Sequence, residues 1–283
     1  MRVLITGAAG QIGSTLVKGF GDRHKIRGLD KVPMPNLDDA IIGDISDFET
    51  VRKATEGMDA VIHLTTSGKE WDDALQNMYV GTYNVFEASR LSGVKRIAYA
   101  SRAGVLSSIY YPRATVKRTV DLYPRPDSIY TISKVFAEGL GYMYWARHGI
   151  GTVGVRIGNF NLKREQPTHP HELGHGDCVR LWEQAITHPN VKHEIVFGVS
   201  DSTWDLYDLE HGKTAIGYHP QDKSDVPPEK RIDHRPFRPG SIREPMVKTP
   251  VGKRLRVLIT GAAGNIGKIL VRGMKNRHEI HGL

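Results

Sequence analysis

The sequence from residue 2 to residue 13 reads Arg2-Val3-Leu4-Ile5-Thr6-Gly7-Ala8-Ala9-Gly10-Gln11-Ile12-Gly13. An apolar run typical of a β-strand leads into a turn with three glycines, and a helical pattern of apolar residues follows. Glycines at this spacing permit a tight turn, close approach of the backbone to a pyrophosphate, and close packing of the helix on the strand. The stretch therefore predicts a dinucleotide-binding site.

The next apolar run ends in an acidic residue. Residues 26–29 lead to Asp30, whose carboxylate would accept hydrogen bonds from the adenosine ribose and repel a 2′-phosphate, so NAD is expected rather than NADP. The N–H groups at the helix start would meet the pyrophosphate. A glycine-rich turn in another α/β protein is the alternative. The order of strand, turn, helix, strand and terminal acid favours dinucleotide binding.

The opening stretch occurs twice. Residues 255–283 repeat residues 1–29 at most positions, and the second copy stops one residue before the counterpart of Asp30. A unit of this size buries too little surface to fold alone. The expected organisation is an NAD-binding domain at 1–225 with a small substrate-side portion at about 158–225, a basic proline-rich linker at 226–254, and a truncated repeat of residues 1–29 at 255–283.

The basic charge of the chain is concentrated in one segment. The 283 residues carry a net charge of +8, and residues 229–256 contain nine Lys or Arg against three acidic residues. The rest is nearly neutral, so we expect no nucleic-acid partner. The single cysteine, Cys178, excludes an internal disulfide and fits a cytoplasmic location. No apolar run is long enough to cross a bilayer, and we expect no membrane partner.

Strand and helix patterns alternate from residue 1 to about 157. This alternation predicts an α/β fold with a doubly wound parallel sheet, the Rossmann fold, followed by a small C-terminal substrate-side portion. Helices are predicted over 72–91 and from Tyr130 to about His148. Asp177 is predicted to cap a helix over 178–187.

A second group of residues predicts chemistry. Tyr130 and Lys134 are four residues apart, so they lie on one face of the predicted helix. A phenol is a weak base at neutral pH, and a nearby ammonium favours its ionised form. Ser101 ends the fifth predicted strand, at the sheet edge where ligands bind in such folds. A tyrosine on a packed helix face with a solvated lysine is the alternative.

With these motifs the chain resembles the extended short-chain dehydrogenases/reductases of the NAD-dependent epimerase/dehydratase family. The similar elements are the turn from Thr6 to Gly13, Asp44-Ile45, His63-Leu64 and the Tyr130/Lys134 pair. Segments 125–130, 156–159, 195–198 and 217–222 resemble uronate dehydrogenases. They resemble equally the archaeal NAD-dependent aldose and glucose-6-phosphate dehydrogenases.

The resemblance implies roles for individual residues. Tyr130 would be the base, Lys134 its modulator, and Ser101 the group that holds the substrate oxygen. The implied NAD-binding residues are Gly7, Gly10, Gln11, Ile12, Gly13, Asp30, Asp44, Ile45, Leu64, Thr65, Tyr130, Lys134 and Ile157. The implied substrate contacts are Ser67, Arg102, Asn159, Thr168 and His169.

Three positions depart from the family pattern. The family usually has a second hydroxyl after Ser101, where this chain has Arg102. The usual asparagine three residues before Gly81 is Met78, with Asn77 beside it. Thr168 stands near the place of the arginine that uronate dehydrogenases use on the sugar carboxylate, and threonine cannot form that bidentate pair.

The histidine-rich segment 168–175 and Cys178 match no standard closed zinc site, so no metal is expected. These residues would contact substrate or form an exposed loop. The resemblance implies a homodimeric NAD-dependent dehydrogenase that oxidises a small sugar, an aldose, sugar phosphate or uronate, at C1 to a lactone. A sugar epimerase or dehydratase with tightly bound NAD is one alternative. A non-catalytic NAD-binding sensor is another.

Overall fold

The computed structural model describes residues 1–66, 70–107, 116–227, 256–276 and 278–283. The chain divides into two compact units, Met1–Pro236 and Phe237–Leu283. The finer domain limits near residues 158, 225 and 254 remain predictions from the sequence. No helix among the described residues is both long and apolar enough to span a membrane.

Seven parallel strands form the sheet of the first unit, in the order β3-β2-β1-β4-β5-β6-β7. They are β1 (Arg2–Thr6), β2 (Lys25–Asp30), β3 (Asp39–Ile42), β4 (Ala60–His63), β5 (Arg96–Arg102), β6 (Gly151–Ile157) and β7 (His193–Gly198). The chain begins at the third position, runs outward to β3, and then crosses β1 to build the other side from β4 onward. This topology confirms the predicted doubly wound sheet and the Rossmann fold.

Helices cover both faces of this sheet. They are α1 (Gln11–Phe20), α2 (Phe48–Thr55), α3 (Trp71–Ala74), α4 (Gly81–Leu91), α5 (Ile129–His148), α6 (His175–Thr187) and α7 (Glu210–Ile216). Helices α1 and α6 share one core with Val3 and Ile5 of β1. Helices α2, α4 and α5 share the other core with Leu4. Because β1 is buried on both faces, its sequence is a continuous apolar run.

The two predicted long helices are present. Helix α5 starts where Ser128 and Thr131 form a reciprocal capping box, and it ends at Gly149 with φ of 69°. The predicted helix over 72–91 is interrupted by a π-helical stretch, Leu75–Val80, between α3 and α4. Such stretches often occur at functional sites.

The prediction for Asp177 is wrong. Helix α6 begins at His175 after Gly174, so Asp177 lies in its first turn. The carboxylate is fully buried and accepts hydrogen bonds from Ser200 Oγ at 2.6 Å and from the backbone N–H groups of Gln221 and Asp222 at 2.8 and 3.0 Å. These tertiary bonds direct the carboxylate toward residues 200 and 221–222 instead of the end of the helix. Asp177 therefore holds α6 to the segment that follows α7.

The second unit has the same strand, turn, helix and strand as the opening motif of the chain. Its described elements are β8 (Arg256–Ile259), α8 (Asn265–Met274) and β9 (Glu279–Gly282), and the two strands pair in parallel. Gly261 has φ of 69°, close to the 72° of Gly7. Its N–H donates to Leu283 O at 2.8 Å, as Gly7 N–H donates to Leu29 O. The repeated sequence therefore folds into the same local turn.

Candidate active site

The glycine-rich turn connects β1 to α1. Gly7 has a positive φ, and a Cβ there would lie 3.1 Å from the backbone of Leu64 and Thr65. A Cβ on Gly13 would lie 2.3 Å from the carbonyl oxygen of Gly7. The turn therefore accepts only glycine at these two positions. The N–H groups of the first turn of α1, from Gln11 onward, have no acceptor within the helix.

Asp30 lies beside this turn at the end of β2. Its Oδ2 accepts a hydrogen bond from Ala9 N–H at 3.0 Å, and its Oδ1 accepts one from Val32 N–H at 3.3 Å. The nearby cations point elsewhere, since Arg27 binds Asp39 and Lys31 pairs with Asp44 at 3.0 Å. The Asp30 carboxylate is thus fixed next to the turn, where a free ribose diol could reach it.

A cleft of about 400 Å³ opens between the turn and the ends of β2 and β4. Of the predicted NAD-binding residues, six line it: Gly7, Gly10, Asp30, Ile45, Leu64 and Thr65. Asp44 does not line the cleft, although its neighbours Gly43 and Ile45 do. Hydrogen bonds from Ser46 and Lys31 outweigh burial and lower the pKa of the Asp44 carboxyl. A glycine cradle beside a fixed carboxylate fits NAD. A larger cavity of about 980 Å³ between α1, α6 and residues 33–37 shares only Ala9 with this cleft.

Tyr130 and Lys134 are adjacent on the first turns of α5. The Lys134 ammonium lies 5.1 Å from the centre of the half-buried Tyr130 ring. Lys134 is 6% exposed, and within the described part of the chain it has no hydrogen bond or ion pair. Burial, together with the positive charge of Arg102, lowers the pKa of Lys134 to about 8.

A buried histidine, His63, lies near Lys134 at the end of β4. His63 ends β4, next to Leu64, and its ring bonds Thr6 Oγ1 at 2.7 Å and Thr82 Oγ1 at 3.1 Å. Thr82 donates its hydroxyl proton to Met78 O, so His63 Nε2 carries the hydrogen and Nδ1 accepts from Thr6. Burial and the charge of Lys134 lower the pKa of His63 to about 3, which keeps the ring neutral.

Arg102, predicted as a substrate contact, lies at Tyr130. It is the last residue of β5, paired in register with Ile157 of β6, and it is exposed. Its guanidinium carbon lies 5.5 Å from the centre of the Tyr130 ring. The structure therefore places two cations, Arg102 and Lys134, at one phenol.

Ser101, by contrast, faces away from this place. It is 2% exposed, and its hydroxyl donates to Glu138 Oε1 at 2.7 Å. Glu138 is also bound by Arg156 through two hydrogen bonds of 2.9 Å. These contacts do not support the predicted role of Ser101 at the substrate oxygen, because the hydroxyl belongs to a buried network joining β5, α5 and β6.

Three predicted substrate residues surround a carboxylate that the sequence did not single out. Asn159 Nδ2 and Thr168 Oγ1 donate to Glu172 Oε1 at 3.1 and 2.7 Å, and His169 Nδ1 lies 3.3 Å from the same oxygen. Hydrogen bonds from Thr168 and His169 outweigh burial and lower the pKa of Glu172. This cluster holds the loop after β6 together. Ser67 lies outside the described residues.

The loop after β6 is joined to the cofactor helix. Gln11 Oε1 accepts a hydrogen bond from Leu162 N–H at 2.8 Å. The side-chain oxygen of Gln11 therefore positions this loop, and its backbone N–H and side-chain Nε2 donors are left for a pyrophosphate. In the described ranges, no three His, Cys, Asp or Glu side chains gather as metal ligands. Burial raises the pKa of the Cys178 thiol.

Asn77 was noted in the sequence only as the neighbour of Met78. The π-helical stretch places Asn77 on the lining of the cleft and buries Met78 against Ser133. The amide of Asn77 donates to Asp73 Oδ1 at 2.7 Å, and Asp73 lines the cleft too. The position of Asn77 depends on the wider turn of this π-helical stretch, which no pattern in the sequence predicts.

Comparison with known proteins agrees with this geometry. Residues 3–203 match the model of the NAD dependent epimerase/dehydratase family. The NAD-dependent glucose-6-phosphate dehydrogenase of Haloferax volcanii is 33% identical, over 78% of this chain and 94% of that protein. The uronate dehydrogenase of Pseudomonas putida is 34% identical, over 80% of this chain and 85% of that protein.

A solved structure is similar as well. Uronate dehydrogenase from Agrobacterium tumefaciens, in a mutant complexed with NAD, superposes with a TM-score of 0.72 at 29% identity, over 79% of this chain and 85% of that one. The chain belongs to the NAD-dependent epimerase/dehydratase family. The resemblance inferred from the motifs is confirmed, and so is NAD as the cofactor.

Proposed function

We propose that this NAD-dependent sugar dehydrogenase oxidises a small sugar at C1 to a lactone. The observation that carries the proposal is the Tyr130/Lys134 pair, whose Lys134 lies near enough to His63, at the end of β4, for its charge to lower the pKa of that ring. Relatives named as dehydrogenases of uronates, glucose 6-phosphate and L-arabinose support a sugar substrate.

The residues divide the chemistry between them. Gly7, Gly10, the first turn of α1 and Asp30 would hold NAD, which supplies the hydride acceptor when bound. Tyr130 takes the proton from the C1 hydroxyl, the C1–H bond breaks with its electron pair, and the C1–O bond becomes double. Lys134 stabilises the ionised phenol by its charge. Because the His63 ring is neutral, it adds no further positive charge near Tyr130 and Lys134.

The proposal covers several classes of sugar. Thr168, at the expected place of a carboxylate-binding arginine, is bound to Glu172 and cannot grip a uronate by a bidentate pair. Aldoses, sugar phosphates and uronates therefore all belong in the proposal.

A panel of these sugars, assayed for NADH formation by the purified chain, tests the proposal. We expect steady NADH release with at least one sugar, and accumulation of the lactone. Isomerised or dehydrated sugar without net NADH, from protein that retains NAD on gel filtration, would indicate an epimerase or dehydratase. NAD binding by calorimetry with no chemical change in any sugar would indicate the non-catalytic sensor.

A further inference from the structure

The positive charge of Arg102 is not paired with any described residue of the protein. Its guanidinium forms no hydrogen bond and no ion pair with the described residues, although it lies 5.5 Å from the Tyr130 ring centre. Its position is electrostatically unfavourable, because it adds a second cation beside the buried Lys134. The five N–H donors of this exposed guanidinium therefore have no acceptor among the described residues.

Gly104 leaves room for the Arg102 side chain in its present conformation. A Cβ on Gly104 would lie 2.6 Å from Arg102 Nε and 3.1 Å from its Cδ. Any other residue at 104 would therefore displace the arginine side chain from its present path. Ala103 and Val105, the flanking residues of this turn, are buried and hold it in place.

We propose that Arg102 binds the sugar oxygen that Tyr130 deprotonates, and that Gly104 positions Arg102 to do so. This inference rests on the proposed function. As the proton passes from the C1 hydroxyl to Tyr130 and the hydride leaves C1, N–H donors of Arg102 stabilise the negative charge developing on that oxygen. Ser101 cannot serve, because its hydroxyl donates to Glu138. A guanidinium stays charged at every working pH, so it acts as a donor only.

Kinetics of matched variants test the proposal. Arg102→Met keeps an apolar stem and removes every donor, and we expect kcat/KM to fall by about 100-fold or more while the Kd for NAD is unchanged. Arg102→Ser returns a hydroxyl donor and should exceed Arg102→Met by about tenfold. Gly104→Ala should lower kcat/KM in wild type but have no effect in the Arg102→Ser background, where no long side chain is left to displace. Gly139→Ala is the control, because a Cβ there meets no atom within 4 Å.

A second measurement does not depend on turnover. Lys134 is surrounded by Arg102, Tyr130 and the neutral His63, and the pKa of Lys134 is lowered from 10.5 to about 8 in the folded chain. The unfolded chain therefore binds more protons between those pH values, and stability rises with pH across this range. Removing the charge of Arg102 raises the folded pKa of Lys134, so in Arg102→Met the rise should begin at a higher pH and be smaller. Lys163→Met, which removes an exposed cation, should leave the curve unchanged.

The outcomes distinguish a failure of the Arg102 proposal from a failure of the proposed sugar dehydrogenase activity. Wild-type kcat/KM in Arg102→Met, or an effect of Gly104→Ala that persists unchanged with Arg102→Ser, would overturn the proposal while the sugar dehydrogenase stands. An unchanged pH curve in Arg102→Met would overturn the placement of Arg102 at the pair. Absence of NADH formation by wild type with every sugar would instead remove the proposed function itself.

Discussion

The Lys134 ammonium lies 5.1 Å from the centre of the Tyr130 ring and is buried with no anion beside it in the described part of the chain. Burying a charge without a partner costs folding free energy. This cost appears in the lowered pKa of Lys134, because the folded protein binds the lysine proton more weakly than the unfolded chain does. The candidate site is therefore a place where the protein gives up stability to keep a cation at a phenol.

Lys134→Met should stabilise the NAD-free protein and abolish turnover. The fall in pKa from 10.5 to about 8 corresponds to about 3 kcal/mol at neutral pH. Since both folded and unfolded lysine are neutral at high pH, the gain should shrink between pH 8 and 10.5. Thermal unfolding across this range measures it, with Lys192→Met on the surface as a control expected within about 0.5 kcal/mol of wild type. A lower Tm at pH 7 in Lys134→Met would contradict the electrostatic argument.

Asp30→Ser should weaken the preference for NAD over NADP by about tenfold or more, because the charge that repels a 2′-phosphate is gone. The comparison is kcat/KM with each cofactor. Asp38→Ser, which removes an exposed carboxylate from the loop that follows, serves as the control. An unchanged ratio in Asp30→Ser would show that this carboxylate does not meet the ribose.

Two tyrosines in one core offer a matched pair for stability. Tyr99 and Tyr144 both contact the Phe86 ring. The Tyr144 hydroxyl donates to Glu87 at 2.9 Å, whereas the buried hydroxyl of Tyr99 has no partner among the described residues. Tyr144→Phe should lower the free energy of unfolding by about 1.5 kcal/mol or more, and Tyr99→Phe should leave it unchanged or raise it. Equal losses in urea unfolding would argue for an acceptor at Tyr99.

The repeat should not bind a second cofactor. Its turn matches that of the first copy, but β8 pairs only with β9 among the described strands, and Ile266 and Ile269 of α8 are 74% and 69% exposed. We expect calorimetry to give one NAD per chain, and a variant ending at Val251 to keep its fold and activity. Two NAD per chain, or a truncated variant that does not fold, would assign the repeat a working role.

Local sequence was enough to predict the turn, the strands and α5. Glycine spacing and apolar runs act over a few positions, and the closely similar φ angles of Gly7 and Gly261 show how much local sequence determines. Burial is a different matter. Leu4 is fully buried and its counterpart Leu258 is 62% exposed, because burial depends on strands and helices elsewhere in the chain.

The site was predictable only in part for the same reason. Ser101 lies at the carboxyl end of β5, where ligands bind in such sheets, but the Glu138 that accepts its hydrogen bond is 37 residues away on a helix. Asn159 and Thr168 meet on Glu172 through an irregular loop whose path no periodicity encodes. The position of Arg102 over Tyr130 requires the space at Gly104, which is visible only once the backbone is known.

The most direct test of the central claim is the Tyr130→Phe variant, compared with Tyr142→Phe on the exposed face of the same helix. With the sugar that gives the fastest NADH formation, the account predicts that Tyr130→Phe loses kcat by about 100-fold or more, while its Kd for NAD stays close to that of wild type. Tyr142→Phe should match wild type in both. Wild-type kcat in Tyr130→Phe would contradict the account, because the group proposed to take the proton would then not be needed.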